Sequence, residues 1–92
     1  MIEMQATIRN AQGIHCRPSA VIMKETQKYD GEVRVLSDKA DCDLRSVMGL
    51  LALGLERGEV ITIRVDGNGE EEMCKRLVAL FETEFDFPPR DG

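Results

Sequence analysis

Gly13-Ile14-His15-Cys16-Arg17-Pro18 contains the single histidine of the chain. A neutral imidazole is a nucleophile near pH 7 and can accept a phosphoryl group. The stretch reads as a loop running into a helix, with Pro18 in the first helical turn, where a missing N–H costs little. His15 is therefore expected at a helix N-terminus, with the Arg17 guanidinium two residues away. Unbonded backbone N–H groups and a nearby cation form an anion site. Both also disfavour the imidazolium, so they keep His15 neutral and stabilise a phosphorylated product. A lone histidine at a helix start is more often a surface or capping residue, so this motif needs support from elsewhere in the chain.

The elements that would position His15 can be read from periodicity. Ile2, Met4, Ala6 and Ile8 alternate with Glu3, Gln5 and Thr7, which predicts a half-buried strand over 2–8. A loop over Asn10 to Gly13 leads to a helix over 16–28, with Ala20, Val21, Met23 and Tyr29 as its expected buried side. Val33 and Val35 alternate with Glu32 and Arg34 in a second strand over 32–37. A tight turn at Ser37-Asp38-Lys39 and a short strand over 40–43 complete a hairpin. Ser46 is a good N-cap for a short apolar helix that ends near Gly54. Ile61, Ile63 and Val65 mark a strand over 60–65, and Asp66-Gly67-Asn68-Gly69 is a strong turn signal. Met73, Leu77, Leu80 and Phe81 form an amphipathic stripe on a last helix over 70–84.

The resulting order, β-α-β-β-α-β-α, predicts an α+β open-faced sandwich: a largely antiparallel four-stranded sheet with helices on one face. Residues 1–85 form one domain in this reading, and 86–92 a short tail. The length of 92 residues and a 42% hydrophobic share suffice for one core, but leave little room for a deep catalytic cleft. A carrier, adaptor or binding module fits this size better than a self-sufficient enzyme. The net charge of −5 argues against nucleic acid as a partner. Arg17, Lys24, Lys28, Lys39 and Arg45 gather in the first half, and acids such as Glu70, Glu71 and Glu72 in the second. Three cysteines without paired spacing predict no disulfide framework and a reducing, cytoplasmic setting. Neither a signal peptide nor an apolar run long enough to span a membrane is expected.

Two motifs, Gly13-Ile14-His15-Cys16-Arg17-Pro18-Ser19-Ala20 and Leu44-Arg45-Ser46-Val47-Met48-Gly49, together with Leu53-Gly54-Leu55, carry a family resemblance. The chain resembles the HPr family, the histidine-containing phosphocarriers of the bacterial sugar phosphotransferase system, over residues 1–85. The resemblance implies that His15 takes a phosphoryl group on Nδ1 from phosphorylated Enzyme I and passes it to IIA domains of sugar permeases. Arg17 would steady the phosphate. It further implies a four-stranded antiparallel sheet backed by three helices. Such a protein is a phosphocarrier and not a stand-alone enzyme, and it needs no cofactor or metal. His15 and Cys16 alone do not make a metal ligand set.

The same resemblance assigns Ser46 as a regulatory phosphorylation site for an HPr kinase/phosphorylase. A plain N-cap role is compatible with that assignment. A phosphate there is locally favourable, yet it adds negative charge to the binding face. Met48 and Leu51 read as core by pattern alone. In the family, Met48, Leu51 and Ala20 sit in an apolar patch beside the histidine. Cys16 and Val47 are expected to border that patch, and Lys24 and Arg45 to form a basic rim that steers acidic partners. Cys16 stands where the family usually has Ala or Thr, and Gln12 where it often has Ser, Thr or Asn. Two alternatives remain open: an HPr-like regulator acting through Ser46, and a carrier of a nitrogen-related phosphotransferase branch. A monomer is expected for a shuttle that docks in turn with several proteins.

Overall fold

The computed structural model describes residues 1–9, 16–44 and 47–83. The expected tail and the loop that includes His15 lie outside them. Strand β1 spans Ile2–Thr7, helix α1 Cys16–Thr26, strand β2 Glu32–Leu36 and strand β3 Asp41–Asp43. Helix α2 spans Val47–Ala52, strand β4 Val60–Asp66 and helix α3 Glu70–Phe81. The expected element order is observed.

The four strands form one sheet in the order β1-β4-β2-β3, with every neighbouring pair antiparallel. Strand β4, the last in sequence, lies between β1 and β2. The register places Ile2 opposite Val65, Met4 opposite Ile63 and Ala6 opposite Ile61. Across β4, Val33 faces Val65 and Val35 faces Ile63, and Val35 faces Cys42 on β3. With a side-chain period of two, this register turns Ile2, Met4, Ala6, Val33, Val35, Cys42, Ile61, Ile63 and Val65 toward one face, and leaves Leu36 and Val60 on the other. The helices cover the first face. On the other face, Glu3 lies beside Arg64 and forms an ion pair with it.

The core is aliphatic, as expected from the scarcity of aromatic residues. Val35, Ile63, Val65, Leu44, Leu50, Leu77 and Phe81 are fully enclosed. The buried stripe of α1 differs from the expected one. Ser19, Ile22, Met23 and Thr26 are buried, at positions i, i+3, i+4 and i+7, whereas Ala20 is exposed and Val21 half-buried. The stripe begins and ends on hydroxyl residues, so an apolar pattern search misses its ends. On α3, Cys74 joins Met73, Leu77 and Phe81 in the core, and Leu80 is only half-buried.

Helix α3 begins after Gly69, which adopts φ 67°, a left-handed conformation that glycine takes without steric cost. Glu70, Glu71 and Glu72 occupy its first turn and complement the positive end of the helix dipole. The N-terminal ammonium of Met1 pairs with Glu70 at 2.7 Å and Asp66 at 3.7 Å, tying the start of β1 to the start of α3. At the other end of β1, the Thr7 N–H donates to Glu82 Oε2 at 3.0 Å. This bond satisfies an edge-strand donor that would otherwise face solvent.

Candidate functional site

Helix α1 starts at Cys16, the residue after His15 in the chain. Cys16, Arg17 and Pro18 belong to its first turn, where backbone N–H groups have no helical acceptor and a proline is tolerated. His15, Arg45, Ser46 and Gln12 lie outside the described residues. For Cys16, Arg17 and Val47 the backbone is described but not the side chain. Ala20, Lys24, Met48 and Leu51 are described in full.

The three helices start differently in charge. The first turn of α3 holds three glutamates, but those of α1 and α2 hold no acid. In a chain with 17 acidic residues, this leaves the positive end of α1 uncompensated by its own side chains. Arg17 adds a further positive charge to the same turn. A helix start of this charge favours an anion.

Helices α1 and α2 pack against each other, and α2 also packs on β3. A buried hydroxyl joins α1 to the segment that leads into α2. Thr26 Oγ1 lies 3.0 Å from the Leu44 carbonyl and 3.0 Å from the Met23 carbonyl of its own helix. The Leu44 N–H donates to the Val33 carbonyl at 3.0 Å, so both polar groups of this enclosed residue are satisfied. The last turn of α1 is thereby fixed to the chain one residue before Arg45. Thr26 was absent from the sequence reading because a lone threonine in a helical pattern carries no signal of its own.

Leu50, Leu53 and Leu55 anchor α2 and its exit in the core. Met48, on the same short helix, is 76% exposed. Ala20 and Lys24 are exposed on the neighbouring α1, and Leu51 is half-buried. An exposed methionine suits a surface that meets several partners, because the thioether chain adapts its shape.

The Cys42 and Cys74 thiols are buried and unpaired by disulfide, and burial pushes both up from the ordinary thiol range, so neither is a ready nucleophile. A cavity of about 210 Å³ opens between the end of α1 and the start of α3, lined by Glu25, Tyr29, Glu72 and Arg76 among others. Three of its charges are already engaged with one another, since Glu25 pairs with Arg76 at 3.3 Å and Lys28 at 3.9 Å. Among the described residues, no group of three or more potential ligands could hold a metal ion. No described helix is long and apolar enough to cross a membrane.

Comparison with known proteins gives one consistent family. The family model described as "PTS HPr component phosphorylation site" matches residues 2–83. The HPr-like protein Crh of Halalkalibacterium halodurans is 31% identical over 84 residues, covering 91% of this chain and 100% of the relative. The phosphocarrier protein HPr of Vibrio cholerae is 35% identical over 82 residues, covering 89% of this chain and 96% of the relative. The crystal structure of HPr-C-His from Thermoanaerobacter tengcongensis superposes with a TM-score of 0.82 at 33% identity, covering 88% of this chain and 91% of that one.

Proposed function

This chain belongs to the HPr family of phosphocarriers of the phosphotransferase system, and from that premise we propose that His15 is its phosphoryl acceptor. Phospho-Enzyme I is the donor in this reading, and IIA domains of sugar permeases are the acceptors. Phosphoryl transfer asks little of a carrier beyond an aligned nucleophile and stabilised phosphate oxygens. The imidazole nitrogen attacks phosphorus, the bond from phosphorus to the donor's leaving atom breaks, and the same exchange with the acceptor delivers the group onward. Arg17 and the N–H groups at the start of α1 hold the phosphate charge. The observation that carries this reading is the acid-free first turn of α1 directly after His15, with Arg17 inside it.

Docking is assigned to the surface of α1 and α2 around Ala20, Lys24, Met48 and Leu51, with Cys16, Arg45 and Val47 at its border. The exposure of Met48 supports this assignment. Ser46 is assigned as a regulatory phosphorylation site at the start of α2, where added negative charge would oppose docking. The protein is proposed to act as a cytoplasmic monomer.

A second reading is favoured by the match to a Crh-type relative over that protein's whole length: a regulator acting through Ser46. One experiment separates the two. The protein is incubated with Enzyme I and phosphoenolpyruvate and observed by phosphorus NMR. An acid-labile phosphoimidazole signal that is lost in His15→Ala supports the carrier. Absence of that signal with a demonstrably active Enzyme I, alongside labelling of Ser46 by an HPr kinase, supports the regulator.

A further inference from the structure

Helix α2 has six residues, too few to hold together on local hydrogen bonds alone. Its C-terminal end has no basic residue of its own. After α2 the chain turns through Gly54 at φ 59°, with the Gly54 N–H on the Leu51 carbonyl at 3.1 Å. The Gly54 carbonyl then receives a cation from another part of the fold: Lys39 Nζ donates to it at 2.7 Å. The same ammonium pairs with Glu59 Oε1 at 3.0 Å. The other carboxylate oxygen, Glu59 Oε2, accepts the Glu56 N–H at 2.9 Å. One ammonium thus joins the end of α2, the loop 53–59 and the entry to β4.

Lys39 is itself held in place. It lies in the β2–β3 turn, where Ser37 Oγ accepts the N–H groups of Lys39 and Ala40, each at 3.2 Å, and donates to the Ala40 carbonyl at 3.0 Å. A cation just beyond a helix C-terminus opposes the negative end of the dipole, and here it also satisfies the carbonyl of the turn that leaves α2. The Glu59 carboxyl is held below the ordinary range, first by the Glu56 N–H and then by Lys39, so it stays charged for this contact near neutral pH.

We propose that Lys39 is a positioning residue for docking: it clamps the C-terminal end of α2 to the sheet and so sets the orientation of the helix that presents Met48. Lys39 touches no phosphate and takes no part in the transfer step. Its functional consequence rests on the phosphocarrier reading given above.

The test compares wild type, Lys39→Met and Lys39→Arg in two measurements. The first is amide hydrogen exchange over residues 50–54. Lys39→Met is expected to speed it at least about fivefold relative to the β4 amides, and Lys39→Arg to restore most of the protection, because the arginine can still donate to the Gly54 carbonyl. The second is the steady-state phosphorylation of the chain by Enzyme I. Lys39→Met is expected to raise KM about threefold to tenfold with kcat within twofold, with recovery in Lys39→Arg. Unchanged exchange in Lys39→Met overturns the clamp. Faster exchange with unchanged KM, or a loss in kcat alone, overturns its docking role. If wild type accepts no phosphoryl group, the carrier reading fails, and exchange alone then decides whether the clamp exists.

Discussion

Replacing Thr26 by valine tests the link between α1 and the entry to α2. The side chains are nearly equal in shape, so the change removes one hydroxyl from a site that is 8% exposed and leaves the packing intact. The Met23 carbonyl keeps the Gln27 N–H at 3.0 Å as a donor. The Leu44 carbonyl keeps no donor among the hydrogen bonds of the described residues, and Leu44 is fully enclosed. Leaving a buried acceptor unsatisfied costs about 1–3 kcal/mol. For a domain of this size each kcal/mol lowers Tm by about 4–8 °C. A thermal melt followed by circular dichroism should therefore show Thr26→Val at least about 4 °C below wild type. Thr26→Ser keeps the hydroxyl and should fall between the two. The same valine variant should loosen the chain next to Arg45 and Ser46, read as faster amide exchange at Leu44 than at Val35. A valine variant with unchanged Tm and exchange would refute the argument that this hydroxyl holds the two helices in place.

Further expectations follow from burial and charge. Met48→Ala should leave the unfolding free energy within about 0.5 kcal/mol of wild type, since the side chain lies mostly in solvent, while KM for Enzyme I rises; an unchanged KM would remove Met48 from the docking surface. Phe81→Ala deletes the largest enclosed side chain and should cost about 3–5 kcal/mol in urea unfolding, a large part of a total of about 5–15. Gly31→Ala would bring a Cβ to 2.3 Å from the Asp66 carbonyl and 2.5 Å from the Tyr29 ring, so it should destabilise by about 1–3 kcal/mol; a neutral melt would contradict this close approach. The Met1 ammonium is raised above its ordinary 8.0, chiefly by Glu70, and Glu70 is lowered below its ordinary 4.5, chiefly by that ammonium. The raised group contributes stability fully below 8.0 and loses it as pH climbs through its folded value. The lowered group contributes fully above 4.5 and loses it as pH falls through its folded value. Glu70→Gln should therefore flatten both flanks of the pH–Tm curve, and identical curves would show that this exposed pair adds nothing.

Much of the fold was legible in the sequence because its signals are local. The alternation over 32–37 and 60–65 marks β2 and β4 to within a residue at their ends, and Asp66-Gly67-Asn68-Gly69 marks the turn between β4 and α3. Helix ends were less legible. The helix expected over 16–28 stops at Thr26, and the one expected over 70–84 stops at Phe81. Propensity changes gradually at a helix end, whereas the last turn closes on single backbone bonds such as Tyr29 N–H to the Thr26 carbonyl at 3.1 Å.

The candidate site divides in the same way. The residue types and spacing of His15 and Arg17 suggest an anion site at a helix start from the sequence alone, whereas the phosphoryl role proposed for His15 and the regulatory role proposed for Ser46 lean on the family motifs as well. Sequence also sufficed to place α1 and α2 as short elements beginning at those motifs. Only the tertiary structure decided that β4 lies between β1 and β2, because strand pairing joins segments far apart in sequence. The stripe of a six-residue helix is too short to define a face, so pattern alone reads Met48 and Leu50 alike as core; the resemblance sets Met48 in an exposed docking patch, and the tertiary structure has it in solvent while Leu50 lies in the core. The Thr26–Leu44 bond and the Lys39–Gly54 clamp belong to that second class as well. Each joins a polar side chain to a carbonyl on another element, and such a pairing leaves no periodic trace in the chain that makes it.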